Sequence, residues 1–272
     1  MKTKTYVITG ATSGIGRALT EILAKEHIVF AGYRNEQKAE ELKMISSNIF
    51  PFYIDYAKPE TINSAIEYIK SKASKIDTLV NIAGCVVAGP IERIPVQEIK
   101  RQFDVNVFGH LQITQGLVNE LENGKIINIS SMASYGIFPF ISPYCASKRC
   151  LDMFFNSFLI ENKKNIKVIS VKPGVISTPL WCKSIAENSE QLNECLGYEK
   201  EMQFMMKNAQ KNEKDGLNVE EVTKTILKID SMKNPKLSYT IGKDALFAHY
   251  FSKLPQKIIN SLVKFGLKAR MK

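Results

Sequence analysis

"TYVITGATSGIGRALTEIL" (residues 5–23) is the stretch on which the fold turns. Thr5 to Thr9 form a β-branched, apolar run short enough for a strand, whereas Ile15, Ala18, Leu19, Ile22 and Leu23 recur at i, i+3, i+4, i+7 and i+8, one face of a helix. Between the two periods stand Gly10, Gly14 and Gly16. Glycine permits positive φ there and lets backbone amides approach a phosphate, and the following helix N-terminus favours negative charge. The order is not G-x-G-x-x-G, and a tight structural turn is the competing reading.

The same alternation runs on through "IVFAGY" (28–33), "IFPFYID" (49–55), "TLVNIA" (78–83), "KIINIS" (125–130), "IKVISV" (166–171) and "KLSYTI" (236–241), with helical stretches such as "PETINSAIEYIKSKA" between them. Strand then helix, repeated, predicts an α/β chain: a doubly wound parallel sheet of about seven strands, helices on both faces and right-handed crossovers. Ligands in such sheets bind at the carboxyl ends of the strands. Without repeats or a low-complexity linker, residues 1–272 read as one domain. The alternation breaks after residue 175, so 179–216 is expected to be an insertion, either a lid over the site or a surface excursion. Residues 244–272 are expected to form a C-terminal helical extension.

Lys and Arg number 37 against 27 Asp and Glu, a net charge of +10. That balance suits a phosphate-bearing ligand or an anionic surface, and equally a Lys-rich solvated exterior. No zinc-finger, basic-zipper or RNA-recognition signature accompanies it, so no nucleic-acid partner is expected. Cys85, Cys145, Cys150, Cys182 and Cys195 form no C-x-x-C pair and no metal spacing, which predicts free thiols, no metal and a cytoplasmic location. No apolar run reaches membrane-spanning length.

Residues at the strand ends carry the chemistry. Tyr33 and Arg34 follow the second strand, where a carboxylate would bind the ribose hydroxyls of NAD; a guanidinium there accommodates a 2′-phosphate, so NADP(H) is expected to be preferred, with NAD(H) still possible. Asp55 closes the third strand and "NIAG" (81–84) follows the fourth. Ser130 and Ser131 end the fifth, and "SPYCASK" (142–148) then places Tyr144 and Lys148 four apart on one helix face. The same spacing recurs at Tyr68/Lys72 and Tyr239/Lys243, but only Tyr144 has a serine thirteen residues earlier, at a strand end. A free tyrosine titrates near ~10, and each unit of lowering needs roughly 1.4 kcal/mol in favour of the phenolate. Lys148 and a nicotinamide's positive charge are expected to supply it.

Taken in order, "TGATSGIG", "NIAG", Ser131, "YCASK" and "PGVISTP" (173–179) make the chain resemble the short-chain dehydrogenase/reductase family over residues 3 to about 180. The chain departs from the pattern in two places: the usual N-N-A-G reads Asn-Ile-Ala-Gly, and Ser13 replaces the basic residue that many NADP-preferring members carry before Gly14. The resemblance implies a Rossmann-type fold and a set of roles. Tyr144 would be general acid in carbonyl reduction and base in alcohol oxidation, and Ser131 would hold the substrate oxygen. Lys148 would hold the cofactor ribose and lower the tyrosine pKa, and Asn106 would keep a water beside that lysine, or merely stabilise its helix. Gly10, Ser13, Gly14 and Ile15 would line the pyrophosphate, with Gly16 closing the turn. Asp55 would meet the adenine, and Asn81, Ala83 and Gly84 its ribose. Pro173, Gly174, Val175 and Thr178 would surround the nicotinamide, Thr178 being equally a helix cap.

The function expected is NADP(H)-dependent interconversion of an alcohol and a carbonyl on a bulky apolar substrate, such as a steroid, retinoid or acyl derivative. The rivals are a catalytically idle dinucleotide-binding sensor or scaffold, and a nucleotide-sugar epimerase of the same superfamily. His27, His110 and His249 show no partner arrangement. A homodimer or homotetramer paired through helices at 95–121 and 143–163 is expected, and the stripe Phe103, Val107, His110, Leu111 and Thr114 fits either that contact or a core. The last helix, with Ile258, Ile259, Leu262 and Val263 among Lys257, Lys264, Lys268 and Arg270, packs on its own domain or a partner, or touches an anionic membrane.

Overall fold

Successive side chains of a strand point to opposite faces, so a strand covered by helices on both sides must be apolar throughout. In the computed structural model, which describes residues 2–187 and 197–270, β1 (Thr5–Ile8) meets this requirement: Val7 joins one core cluster, Tyr6 and Ile8 the other. The remaining strands are β2 (Ile28–Tyr33), β3 (Ile49–Tyr53), β4 (Thr78–Asn81), β5 (Lys125–Ile129), β6 (Lys167–Pro173) and β7 (Ser238–Ile241). They pair in parallel in the order β3-β2-β1-β4-β5-β6-β7. Each expected strand is present; β3 stops short of Asp55 and β7 starts after Lys236.

The helices, in chain order, are α1 (Gly14–Leu23), α2 (Glu36–Ile45), α3 (Pro59–Lys72), α4 (Val96–Phe103), α5 (Gly109–Gly116), α6 (Ser142–Glu161), α7 (Leu180–Glu187), α8 (Glu199–Asp215), α9 (Val219–Ser231), α10 (Lys243–Phe251) and α11 (Gln256–Arg270). On one face of the sheet Leu19, Leu42, Val222 and Ile226 from α1, α2 and α9 meet Ile8, Val29, Val80 and Ile127. On the other, Ile62, Ile69, Ile113, Leu151 and Phe155 from α3, α5 and α6 meet Val7, Phe30, Leu79 and Ile126. Each such side chain, fully buried, contributes about 1.5–3 kcal/mol. Of the stripe over 103–114, Val107, His110 and Thr114 are buried in the protein's own core, while Phe103 and Leu111 are half-buried.

The two ends of the sheet are treated differently. At the amino end Asp230 of α9 ties strands together: its carboxylate accepts from Lys4 Nζ at 2.7 Å, Tyr6 Oη at 2.8 Å and Thr78 Oγ1 at 2.6 Å. At the carboxyl end the chain runs outward from β1 to β3 and then returns to β4 on the other side of β1. That reversal opens a crevice between the connections that leave β1 and β4.

Candidate active site

The turn after β1 is held in a form that only glycine adopts readily. Gly10 has φ +66° and Gly14 φ +51°. A Cβ on Gly16 would lie 2.2 Å from the Gly10 carbonyl oxygen, so α1 starts pressed against its own turn. Thr9 Oγ1 accepts from the amides of Ile82 (2.9 Å) and Ala83 (3.2 Å), joining the end of β1 to the segment after β4. A Cβ on Gly14 would come 3.2 Å from Thr178 Cγ2, which brings the segment after β6 to the same crevice. Ser13 is the N-cap of α1 and makes no side-chain cap bond. Ile15 is buried and anchors the turn. A cradle of amides that a Cβ would fill, opening a helix, fits a pyrophosphate.

Around it, Arg34 is exposed at the end of β2. Asp55 is half-buried, with Oδ1 accepting from Ala57 N at 3.1 Å. The Asn81 side chain does not face the crevice. Asn81 and Asn128 are register partners on β4 and β5, and Asn81 Nδ2 donates to Asn128 Oδ1 at 2.8 Å inside the sheet. After β6, Gly174 N donates to Ile241 O (2.8 Å) and Val175 N to Asp244 Oδ2 (2.8 Å), fixing the loop that begins at Pro173.

Ser131 caps a short 3-10 turn (Met132–Tyr135), where its Oγ accepts from Ala133 N at 3.1 Å. Its hydroxyl lies on the Tyr144 side of α6, near enough to favour the phenolate. Lys148, one turn further on, donates from Nζ to Ile129 O at 2.8 Å and lies 5.8 Å from the Tyr144 ring centroid. The sequence predicts a phenol pKa lowered by Lys148 together with a nicotinamide's charge; within the protein alone, burial pushes the other way. Tyr144 is 6% exposed, and burial pushes its phenol up to about 12, the nearby Ser131 hydroxyl pulling partly back. Lys148 is only 3% exposed, and burial pushes its ammonium down to about 8, with the attraction of Asp152 opposing. Low dielectric outweighs the neighbouring charges at both groups.

Asn106 lies in a π-helical turn (Asp104–Phe108) between α4 and α5, where Gly109 N reaches back to Asp104 O. Such single wide turns are frequent at functional sites. Here the turn aims a buried amide: Asn106 Oδ1 accepts from Cys85 N (2.9 Å), and Nδ2 donates to Cys85 O (2.9 Å) and Ser147 Oγ (3.0 Å). A Cβ on Gly84 would sit 3.3 Å from Asn106 Oδ1 and 3.7 Å from Lys148 Nζ, so glycine leaves room between them.

Three groups gain partners that the sequence does not announce. His110 Nε2 donates to Ala83 O at 2.8 Å, which fixes the tautomer, and burial holds the ring neutral, down to about 3, with Lys148 adding repulsion. Asp152, four residues beyond Lys148 on α6, is buried and pairs with Lys172 Nζ of β6 at 2.7 Å. Ser170 Oγ donates to the other Asp152 oxygen at 2.9 Å. Only the Lys148–Asp152 spacing was open to sequence reasoning.

The wall around Tyr144 is apolar. Val86, Ala133, Ile141 and Cys145 pack with it, flanked by Phe138, Leu180, Trp181 and Met205. Trp181 of α7 meets the Tyr144 ring edge-on at 5.8 Å, and α7 packs against α8. The expected insertion over 179–216, lid or surface excursion, includes α7 and α8; its residues 188–196, with Cys195, lie outside the described residues.

A family model described as short chain dehydrogenase matches residues 4–189. An NADPH-dependent 3-dehydrocapnine reductase of Ornithobacterium rhinotracheale is 30% identical, covering 96% of each chain. A 3-ketodihydrosphingosine reductase of Bacteroides thetaiotaomicron is 27% identical over 95% of this chain and 96% of its own. Among solved structures, a short-chain dehydrogenase from Streptomyces avermitilis superposes with a TM-score of 0.76 at 20% identity, covering 99% of this chain and 98% of that one.

Proposed function

We propose, from the premise that this chain belongs to the short-chain dehydrogenase/reductase family and is an NAD(P)-dependent oxidoreductase, that it reduces a carbonyl on a bulky apolar substrate and prefers NADP(H) to NAD(H). The observation that carries this is a buried Tyr144 phenol, kept protonated, set near Ser131 in an apolar wall. A protonated phenol is the form that donates to a carbonyl oxygen. The relatives named for reducing 3-dehydrocapnine and 3-ketodihydrosphingosine support the reductive direction.

The dinucleotide, when bound, supplies the hydride. The backbones of Gly10, Ser13, Gly14, Ile15 and Gly16 would hold its pyrophosphate and Arg34 its 2′-phosphate. Asp55, Ala83 and Gly84 would lie along the adenosine, and Pro173, Gly174, Val175 and Thr178 at the nicotinamide end. Ser131 donates its hydroxyl hydrogen bond to the substrate carbonyl oxygen and orients it. Tyr144 releases its proton to that oxygen as negative charge builds there. Lys148 holds a ribose and steadies the phenolate left behind, which burial alone disfavours. Asn106 fixes the Cys85 backbone against Ser147, and His110 fixes Ala83, so the cofactor-side loop cannot drift from α6. The apolar wall excludes water from the transfer. The same reading has the protein as a homodimer or homotetramer, supported by the exposed Phe108, Met153, Phe154 and Ile160.

The test is NADPH consumption with a panel of apolar ketones and aldehydes, 3-ketodihydrosphingosine included. Turnover with NADPH above that with NADH is expected; NADPH binding without turnover of any compound would move the protein to the sensor reading. Replacing Arg34 with Asp should cut the NADPH-to-NADH ratio of kcat/KM by roughly 10- to 100-fold, the worth of a charge-assisted hydrogen bond. An unchanged ratio removes Arg34 from the 2′-phosphate.

A further inference from the structure

The C-terminal helix has two apolar faces, and the protein uses one of them. Ile259 of α11 is 5% exposed, with Val263 and Leu267 half-buried on the same side. Ile258, Leu262 and Phe265, at i, i+4 and i+7, form a second stripe that stands 46%, 47% and 73% exposed. Lys257, Lys264 and Lys268 run along one edge of that stripe, all exposed. The preceding helix adds more: Leu246, Phe247 and Tyr250 of α10 and Leu254 of the connection are exposed, and Lys253 Nζ lies 4.9 Å over the Tyr250 ring. From Ala245 to Lys272 the chain carries five lysines and one arginine and no acidic residue. Surface helices in a monomeric exterior normally intersperse both signs.

We propose that α10 and α11 form a docking surface for an anionic lipid bilayer. The exposed stripe of Ile258, Leu262 and Phe265, with Phe247 and Leu246, enters the acyl boundary, and the lysine row meets the anionic headgroups. Among the described residues no helix is long and apolar enough to cross a membrane, so the helices lie in the interface plane. Charge selects the occupant: an anionic surface satisfies both the apolar stripe and its uncompensated lysines, whereas a second copy of the same face would bring lysines against lysines.

The surface is built on segments that border the site. His249 of α10 meets Tyr135 edge-on at 4.9 Å, in the turn that Ser131 caps, and Asp244 at the start of α10 holds Val175 N at 2.8 Å. Resting on the carbonyl-reductase reading, docking here would present the substrate side to a lipid phase and favour substrates that partition into it. Docking itself does not depend on that reading.

The experiment is co-sedimentation of the full chain with vesicles of phosphatidylglycerol and phosphatidylcholine in equal parts, against phosphatidylcholine alone. Each lysine near an anionic surface is worth roughly fivefold in partitioning. Binding to the anionic vesicles is expected, with at least a tenfold drop on neutral vesicles or in high salt. Lys257→Glu, Lys264→Glu and Lys268→Glu together should lower it by on the order of a hundredfold, and Leu262→Ser with Phe265→Ser should abolish it. Absence of binding, or binding that both variants retain, overturns the proposal. So does a wild type that self-associates without vesicle binding and becomes smaller in the serine variant, which would give the face to a second copy. All substituted residues are exposed, and turnover of a water-soluble ketone serves as the control: its absence in the wild type counts against the reductase reading, while vesicle binding is judged separately.

Discussion

Replacing Tyr144 with Phe is expected to lower kcat for carbonyl reduction by between about a hundred- and ten-thousand-fold, the usual worth of a positioned proton donor. The substitution removes one oxygen and keeps the ring, so the edge-on contact with Trp181 and the surrounding apolar cluster survive. Ser131 keeps its bond to Ala133 N. NADPH affinity, read by fluorescence, should change by less than about fivefold, because a hydroxyl alone is lost from the cofactor's surroundings and a neutral hydrogen bond is worth only about 1 kcal/mol. Turnover within tenfold of wild type would mean a different donor. His110 could not be it, since its one N–H is given to Ala83 O.

Lys148→Met should abolish turnover and at the same time stabilise the protein. A lysine that releases its proton at about 8 rather than 10.5 is one whose charge the fold accommodates at a cost on the order of 3 kcal/mol. Methionine has nearly the same length without the charge. It forfeits the charge-assisted hydrogen bond to Ile129 O, about 1.5–3 kcal/mol, and leaves Asp152 still paired with Lys172. The net gain of up to about 1.5 kcal/mol predicts a melting temperature higher by a few degrees. The pH dependence has a definite sign. Between pH 8 and 10.5 the unfolded chain binds the lysine proton more tightly than the folded one, so raising pH stabilises the wild type there. The advantage of the variant should be full below pH 8 and fade toward 10.5. A lower melting temperature for Lys148→Met, measured by calorimetry across that range, would show that the lysine supports the fold.

Much of this was legible in the sequence because the relevant signals are local. Each strand is a short apolar run, and the glycine turn after β1 sits between two clear periodicities. Spacing places Tyr144 and Lys148 on one helix face, and Ser131, thirteen residues earlier at a strand end, singles that pair out. What sequence could not give is register and depth. The Asn81 side chain turns away from the crevice because Asn128 stands beside it on β5, a fact of strand pairing. His110 finds Ala83 O across 27 residues, through the wide turn before α5. The direction of the Tyr144 shift depends on how deeply α6 is covered, which neither spacing nor a nearby lysine reveals. Likewise the apolar residues of α11 read as one stripe until the fold buries Ile259 and leaves Ile258, Leu262 and Phe265 outside.

The strand order also governs how this chain can come to exist. The first strand lies next to β4, so Thr5 meets Asp77 across 72 residues, and Lys4 reaches Asp230 only after 226. Contacts so distant must close large loops before they return any stability, which makes folding slow. During synthesis β1, β2 and β3 emerge first and can pair among themselves. The edge of β1 that β4 will cover stays open meanwhile, a template for other chains. The clamp at the amino end arrives with α9, when most of the polypeptide is already made. A chain cut before that helix would leave Lys4, Tyr6 and Thr78 without the carboxylate that joins them, and so without the tie between β1 and β4 at that end.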